Sequence, residues 1–353
     1  MVFSGQRKST SRRKFVMASA SGVAGASGVA GTGNVTAGTD QEHLAASKRR
    51  RREVWVASVC QDGLTAASMS QMCNRMLKRM AETLPMHPDI ICLPECFHVA
   101  NLSAERPPVT ESSEAPLGKF SRAFSKFAAE HQVNLICPIH TRVGGRYYNA
   151  AVVIDRAGQY VGQYQKINPT ESEIAAGIAP GPLDPPVFDL DFGRIGIQIC
   201  FDVNWHDNWK RLSEKGAEIV FWPSAFAGGQ MLNNVAAINK FFVVSSTRIQ
   251  ASKFVDPLGD DIVASGRFGK WICGPINLDT AVVQGWQDIR KLDAAREKYG
   301  RHIDVRVKHV EALAAVESLG AVPIREVLNE FSIQTSSEML AANTALQNRH
   351  RPG

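Results

Sequence analysis

The chain has 353 residues, of which 44% are apolar and 21% charged, enough for one large or two ordinary domains with a substantial core. No stretch of about eighteen consecutive apolar residues occurs, so a membrane-spanning helix is not predicted. The formal charge of +6 comes from residues 1–52, where ten Lys or Arg outnumber two acids; residues 53–353 are near neutral, so a nucleic-acid-binding surface is not predicted.

The first 37 residues have the order of a twin-arginine export signal. Arg12 and Arg13 precede an aromatic residue, Phe15, then a weakly apolar Ala/Gly/Ser stretch and a small-residue site at Val35–Ala37. This order predicts a folded protein exported to the periplasm or another extracytoplasmic compartment. The alternative is a leader that stays on a cytoplasmic protein. Residues 38–52, which end in a run of basic residues, are predicted to be a solvated linker.

From Val54 onward, strand-like and helix-like patterns alternate along the chain. The predicted strands are Val54–Val59, Asp89–Leu93, Val133–Ile139, Asn149–Ile154, Tyr160–Tyr164, Arg194–Cys200, Ile219–Trp222 and Phe241–Ser245. The predicted helices are residues 67–82, Lys119–His131, a segment ending at Lys215, residues 231–240, Ile324–Phe331 and Glu338–Gln347. The alternation predicts a layered α/β domain over residues 53–331. The last fifty residues are predicted to be helical, with 332–353 forming a tail that packs on a partner subunit.

Seven cysteines argue against a disulfide scaffold, because an odd number leaves at least one thiol unpaired in a monomer. Cys92 and Cys96 are four residues apart. No second pair or histidine cluster accompanies them, so core packing is favoured over a zinc site. The sequence also lacks a glycine-rich phosphate loop.

Three predicted strand ends carry ionisable residues of different types, namely Glu95, Lys166 and Cys200. Active sites of α/β proteins concentrate at the carboxyl ends of strands. A thiol needs a neighbouring base to become a nucleophile, and a buried glutamate is able to take its proton and pass it to a leaving amine. A lysine beside both, together with backbone N–H groups after Cys200, is suited to stabilise a tetrahedral oxyanion.

Each of these signals is weak alone, and two other interpretations stay open at this point. Cysteine is a small residue that often fills a gap in a core. A cysteine–histidine protease is a second alternative, for which the sequence offers four histidines without a diagnostic context: His98, His140, His206 and His302.

Six stretches taken together resemble the nitrilase superfamily of carbon–nitrogen hydrolases. The resemblance covers about Val54–Phe331. It lies in ICLPECF around Glu95, YQKINPTESE around Lys166, GRIGIQICFD around Cys200, GAEIVFWPSAF at 216–226, NNVAAINKFFVVSS at 233–246 and DPLGD at 256–260. It implies a four-layer α-β-β-α sandwich that pairs into homodimers or larger assemblies and uses no metal or organic cofactor.

The resemblance also implies roles for individual residues. Glu95 is implied as general base, Lys166 as stabiliser of the intermediate and Cys200 as the nucleophile that becomes acylated. A second glutamate follows the lysine in this family. Glu173 fits its offset better than Glu171, and holding the lysine or orienting substrate is its implied role.

The segment after Cys200 bears on the substrate. Relatives that act on carboxylate-bearing substrates often have an arginine there, whereas residues 201–206 contain no basic side chain of that kind. Phe201, Trp205 and Trp222 are predicted to shape an apolar or planar pocket instead. The sequence therefore predicts hydrolysis of a neutral amide or carbamoyl compound. A nitrilase acting through a thioimidate, a catalytically silent binding module and an acyltransferase are the alternatives.

Overall fold

The computed structural model describes residues 52–249, 251–266 and 269–352. The predicted export signal and all but the last residue of the predicted linker lie outside this range. That last residue, Arg52, forms an ion pair of 2.8 Å with Glu218 and so belongs to the folded part. No helix in the described part of the chain has the length and apolar character needed to cross a membrane.

Most predicted elements occur within a few residues of their expected bounds. The strands are β1 (Glu53–Val59), β2 (Ile90–Cys92), β3 (Asn134–Val143), β4 (Arg146–Ile154), β5 (Tyr160–Gln165), β6 (Val187–Leu190), β7 (Gly193–Ile197), β8 (Ile219–Ser224), β9 (Phe242–Thr247), β10 (Lys253–Val255), β11 (Asp261–Ala264), β12 (Trp271–Asn277), β13 (Thr280–Gln284), β14 (Ile303–Lys308) and β15 (Leu313–Ser318). The helices are α1 (Met69–Ala81), α2 (Val109–Ser112), α3 (Ser121–His131), α4 (Glu171–Ala175), α5 (His206–Glu214), α6 (Gln230–Asn239), α7 (Gly285–Tyr299), α8 (Ile324–Glu330) and α9 (Ser336–His350).

Two six-stranded sheets form the body of the described chain. Their strand orders are β12-β1-β2-β3-β4-β5 and β11-β10-β9-β8-β7-β6. In each sheet three parallel strands are flanked by antiparallel ones: β1, β2 and β3 in the first, β7, β8 and β9 in the second. The carboxyl ends of parallel strands share one sheet edge, so residues that follow β2 and β7 are each placed at such an edge.

The apolar clusters show how these sheets and helices are layered. One cluster joins the facing sides of the two sheets and includes Val56, Ile136, Ile197 and Phe221. A second packs α1 and α3 on the first sheet, and a third packs α5 and α6 on the second. The predicted four-layer α-β-β-α sandwich is therefore confirmed.

The sequence pattern explains this packing locally. In α1 the stripe at helical spacing is buried, as predicted, and Ser68 caps the helix by accepting the backbone N–H of Gln71 at 3.3 Å. In β7 the residue between two core isoleucines is Gly196. A Cβ there would lie 2.9 Å from Leu212 of α5, so glycine permits the close approach of this helix to the sheet.

The C-terminal part differs from the expectation of helix alone. Strands β13, β15 and β14 form a small antiparallel sheet, which packs with α7 and α8 around its own cluster. The two C-terminal helices occur as predicted, but residues 303–318 form a hairpin. Its turn, residues 309–312, has no Gly, Pro or Asn; Ala312 itself adopts a φ of 56°, so the usual turn signal is missing from the sequence.

Candidate active site

The three ionisable residues predicted at strand ends meet at one buried point. Glu95 follows β2, Lys166 follows β5 directly, and Cys200 follows β7 in the other sheet. The Lys166 ammonium donates to Glu95 Oε1 at 2.9 Å and to Glu173 Oε2 at 2.8 Å. Lys166 and Glu95 are only 1% and 3% exposed. In such a buried site each charge is stabilised by its ion pairs and hydrogen bonds in place of water.

A cavity of about 180 Å³ opens onto this network. Its lining residues are Glu95, Cys96, Arg106, Asn149, Lys166, Thr170, Ser172, Glu173, Cys200, Ala225 and Arg248. All four residues predicted as catalytic are among them. Glu173, and not Glu171, is the glutamate that bonds Lys166. It is the third residue of α4, and its carboxylate also accepts the backbone N–H of the N-cap residue Thr170 at 2.8 Å, which directs the side chain toward the N-terminus of the helix.

Cys200 lies on a tight turn and not in the strand itself. β7 ends at Ile197, three residues before the predicted strand end, and Cys200 starts a short 3₁₀ turn with a φ of 49°. A non-glycine residue in this left-handed region costs about 1–3 kcal/mol and persists only where its surroundings enforce it. The Trp222 indole enforces it here by donating to the Cys200 carbonyl at 3.0 Å.

Asp202 ties this turn to the segment that carries Lys166. Its carboxylate accepts the Ile199 backbone N–H at 3.0 Å, the Tyr164 hydroxyl at 2.7 Å and the Asn168 backbone N–H at 2.8 Å. Burial raises the pKa of Asp202 to about 6 even though these donors act to lower it. The position of Cys200 relative to Lys166 is therefore determined by hydrogen bonds across the two sheets.

The electrostatics of the cavity leave the thiol protonated. Burial, followed by the negative charge of Glu95, raises the pKa of Cys200 to about 11; Lys166 and hydrogen bonds from the Ala225 backbone and the Ser224 hydroxyl oppose this rise. At neutral pH the thiol consequently needs a base. For Lys166, burial alone would lower the pKa, but the Glu95 carboxylate and then Glu173 raise it, so the amine stays charged.

The three aromatic residues predicted to shape the pocket lie elsewhere. Trp222 is fully buried in the cluster beneath α5 and α6, where it stacks edge-on with Phe226. Phe201 and Trp205 are about 40% exposed and pack edge-to-face with ring centroids 5.2 Å apart. None of the three is among the residues that line the cavity with Cys200.

The histidines of the protease alternative do not line the cavity either. His98 and His140 are buried against each other with ring centroids 5.1 Å apart, and the Ser112 hydroxyl pairs with His140 Nδ1 at 2.8 Å. His206 is the first residue of α5, and His302 belongs to a short 3₁₀ turn after α7. Cys200 therefore shares its cavity with Glu95, Glu173 and Lys166 and with none of these four histidines.

Seven cavity residues were not predicted as site residues from the sequence: Cys96, Arg106, Asn149, Thr170, Ser172, Ala225 and Arg248. Asn149 is the fourth residue of β4 and Arg248 directly follows β9, positions that do not by themselves mark a site residue. Arg106 lies in the Pro/Ser/Glu-rich loop before α2 and has no local signal at all. The expectation that no arginine is available rested on residues 201–206; two arginines reach the cavity from other parts of the chain.

Comparison with known proteins gives the class of this protein. The carbon–nitrogen hydrolase family profile matches residues 56–285. The chain therefore belongs to the carbon–nitrogen hydrolase family, as the resemblance of its motifs implied.

Individual relatives are distant. The chain is 27% identical over 192 residues to a nitrilase of Pyrococcus abyssi, a match that covers 53% of this chain and 72% of the relative. It is 29% identical over 198 residues to a beta-ureidopropionase of Arabidopsis thaliana, covering 51% of this chain and 48% of the relative. The fold of Nit3 from Saccharomyces cerevisiae, a member of branch 10 of the nitrilase superfamily, superposes with a TM-score of 0.56 at 19% identity, covering 65% of this chain and 92% of Nit3.

Proposed function

We propose that this carbon–nitrogen hydrolase cleaves a small non-peptide amide or carbamoyl compound through a covalent acyl-cysteine intermediate. The observation that carries the proposal is the buried contact of Lys166 with Glu95 and Glu173 in the cavity that contains the Cys200 thiol. An acyl-transfer site needs a nucleophile, a base and a charge that stabilises the oxyanion, and these residues supply the three.

In the proposed mechanism Glu95 takes the thiol proton as the Cys200 sulfur attacks the carbonyl carbon. The negative charge on the carbonyl oxygen is stabilised by the Lys166 ammonium and by backbone N–H groups of the turn after Cys200. Glu95 then gives the proton to the departing amine. Water, deprotonated by Glu95, attacks the thioester, releases a carboxylic acid and restores the thiol, so that one water is consumed for each bond cleaved.

The hydrogen bonds support Glu95, and not Glu173, as the group that moves protons. Glu173 accepts from Lys166, from Asn149, and from both the backbone and the hydroxyl of Thr170. In Glu95, Oε1 accepts from Lys166 and Asn149, whereas Oε2 has only a long contact of 3.4 Å to Arg248. A carboxylate oxygen with a free lone pair is able to accept a proton; the saturated Glu173 is suited to hold Lys166.

Replacement of the thiol tests the proposal. We expect Cys200→Ala to lower kcat by at least about 10⁴-fold for any amide that the wild type hydrolyses, because the nucleophile is lost. Intact-mass spectrometry of rapidly quenched wild type should detect an acyl adduct that the variant lacks. Cys273→Ala, at a half-buried thiol outside the cavity, is the matched control and should keep full activity. Retention of hydrolysis by Cys200→Ala would exclude the mechanism.

The nitrilase alternative uses the same residues, because thiol attack on a nitrile gives a thioimidate at the same position. The name of the Pyrococcus abyssi relative favours testing it. Ammonia release from matched amide and nitrile pairs separates the two activities. A silent binding module would release ammonia from neither, and iodoacetamide would alkylate its Cys200 without any protection by substrate.

Export and assembly complete the proposal. The residues that suggest a twin-arginine signal support a location outside the cytoplasm, and the mass of the mature N-terminus in fractionated cells tests it. An intact Met1 on cytoplasmic protein would contradict export. Family membership supports a homodimer or larger homo-oligomer, which light scattering of the purified protein measures.

A further inference from the structure

Two arginines at the cavity have almost no partners. Arg248 follows β9, and its backbone is held by the Ser224 carbonyl at 2.9 Å. Its only recorded side-chain hydrogen bond or ion pair within the described residues is the 3.4 Å contact with Glu95, and its Nε atom is buried with no hydrogen-bond partner there. The Arg106 guanidinium also lines the cavity, and no hydrogen bond or ion pair to another described residue is recorded for it.

Arginine N–H donors that lack protein partners at the wall of a cavity require an explanation. A guanidinium has five N–H donors, and burial of the Arg248 Nε–H without a partner is unfavourable, whereas Arg106 is exposed at the cavity. Burial raises the pKa of the Cys96 thiol, which also lines the cavity, while the positive charges of Arg248 and Arg106 oppose that rise. Both guanidiniums are therefore close enough to act on groups inside the cavity.

The charges that line the cavity do not balance. The positive side chains are Lys166, Arg106 and Arg248, and the carboxylates are Glu95 and Glu173. The Cys200 thiol is neutral at pH 7. One positive charge is left over, and Glu173 is already saturated by Lys166, Thr170 and Asn149. The protein thus supplies a planar, cationic hydrogen-bonding surface whose only recorded ion pair with a described carboxylate is the long Arg248–Glu95 contact of 3.4 Å.

We propose that Arg106 and Arg248 bind a carboxylate of the substrate, so that the amide hydrolysed is one that also carries a carboxylate. This inference rests on the proposed hydrolysis at Cys200. A single negative charge matches the unbalanced positive charge, whereas a phosphate would bring about two. A cavity of about 180 Å³ favours a small substrate, such as the monoamide of a short dicarboxylic acid.

This inference replaces the expectation of a neutral substrate. That expectation used only the absence of a basic residue in 201–206. In the folded chain the same function is available to Arg106, almost a hundred positions before Cys200, and to Arg248, which follows β9 in the sheet that contains β7. Both are arginines, whose planar fork matches a carboxylate better than a lysine would.

A matched substrate pair provides the test. Succinamate carries a carboxylate, and 4-methylpentanamide has an isopropyl group of similar shape in its place. We expect kcat/KM of the wild type to be at least about tenfold higher for succinamate, because its carboxylate accepts charge-assisted hydrogen bonds that an isopropyl group does not accept. Arg106→Gln should lower the ratio of the two kcat/KM values about tenfold, mainly through a higher KM for succinamate. Arg290→Gln, at an exposed arginine of α7, is the control and should keep the ratio.

A binding measurement separates failure of this inference from failure of the proposed function. Calorimetry with Cys200→Ala should give tighter binding of succinamate than of 4-methylpentanamide, and adding Arg106→Gln should remove the difference. Equal binding of the two amides, or a ratio that Arg106→Gln leaves unchanged, overturns the carboxylate site while hydrolysis at Cys200 stands. Preferential binding without turnover by the wild type keeps the site and contradicts the proposed function. Inorganic phosphate that binds as tightly as succinamate overturns the choice of a carboxylate.

Discussion

Asn149 connects the two carboxylates of the cavity. Its side-chain NH₂ group donates to Glu95 Oε1 at 2.8 Å and to Glu173 Oε1 at 2.7 Å, and its carbonyl oxygen accepts the Cys96 thiol at 3.1 Å. Lys166 bonds the same two glutamates. Two carboxylates in one buried site repel each other, so their positions depend on donors that both of them share.

We therefore predict that Asn149→Ala lowers kcat about 100-fold, since Glu95 and Glu173 lose a shared donor that positions them. Burial raises the pKa of Glu173, but Lys166, the Thr170 backbone N–H and the Asn149 side chain outweigh it and lower the pKa. Without Asn149 the acidic limb of the pH–rate profile should therefore move to higher pH. Steady-state kinetics across pH measure both effects.

A second buried asparagine serves as control for that prediction. Asn277 donates to the Ser318 carbonyl at 2.9 Å, outside the cavity. Asn277→Ala should lower the free energy of unfolding by about 1–3 kcal/mol and leave the pH–rate profile in place. An unchanged profile in Asn149→Ala would reduce the role of Asn149 to packing.

At the scale of elements, the candidate site depends on how the ends of β5 and β7 are joined. The two strands belong to different sheets, and Asp202 bridges them by accepting the Tyr164 hydroxyl near the end of β5 and the Ile199 backbone N–H after β7. Tyr164 is itself fully buried in the core between the sheets. This hydrogen bond therefore lies in the dry interior, where an unpaired carboxylate oxygen is costly.

We predict that Tyr164→Phe lowers the free energy of unfolding by about 1–3 kcal/mol, because Asp202 loses one of its three donors in a buried place. Activity should fall with it, since the turn that carries Cys200 is less well held. Urea denaturation and kcat are the measurements. Tyr299→Phe is the matched control: its hydroxyl donates to Glu330 at 2.7 Å at an exposed position, and its loss should cost under about 1 kcal/mol.

At the scale of the whole molecule, two buried histidines link stability to pH. The pKa of His140 is lowered to about 3 by burial, and then by the positive charges of Arg106, Arg248 and Lys166. Burial, followed by the neighbouring His140, also lowers the pKa of His98. Both imidazoles are thus neutral in the folded protein, whereas in the unfolded chain they take up protons below about pH 6.5.

The sign of the effect follows from this difference. The unfolded state binds more protons below about pH 6.5, so stability is lost as pH falls from that value toward 3. Between pH 7 and 5, His140 alone should remove about 2 kcal/mol from the free energy of unfolding. Asp202, with its raised pKa of about 6, opposes part of this loss.

Urea denaturation at pH 7, 6 and 5 measures the predicted loss. His140→Gln should have a flatter dependence on pH than the wild type, even if it is less stable at pH 7. His309→Gln, at an exposed histidine in the turn before β15, is the control and should keep the wild-type slope. Equal slopes in the wild type and His140→Gln would contradict the linkage.

Local patterns in the sequence predict the α/β class, most elements and the candidate catalytic residues Glu95, Lys166 and Cys200. Alternation in strands, stripes in helices and residues at strand ends are local patterns, readable within some ten residues. Six motifs in order identified the family, because their joint occurrence is far more specific than any one of them. The hairpin at 303–318 was missed, since its turn is formed by residues that do not signal turns.

The surroundings of the Cys200 thiol became visible with the tertiary structure. It gave Cys200 a left-handed backbone, assigned Trp222 to support the Cys200 carbonyl, and brought Arg106 and Arg248 to one cavity. These contacts join residues that are far apart along the chain, and their geometry depends on how two separate sheets pack. No local pattern encodes a distance of that kind, so the candidate catalytic residues were readable from the sequence and the charge of the cavity around them was not.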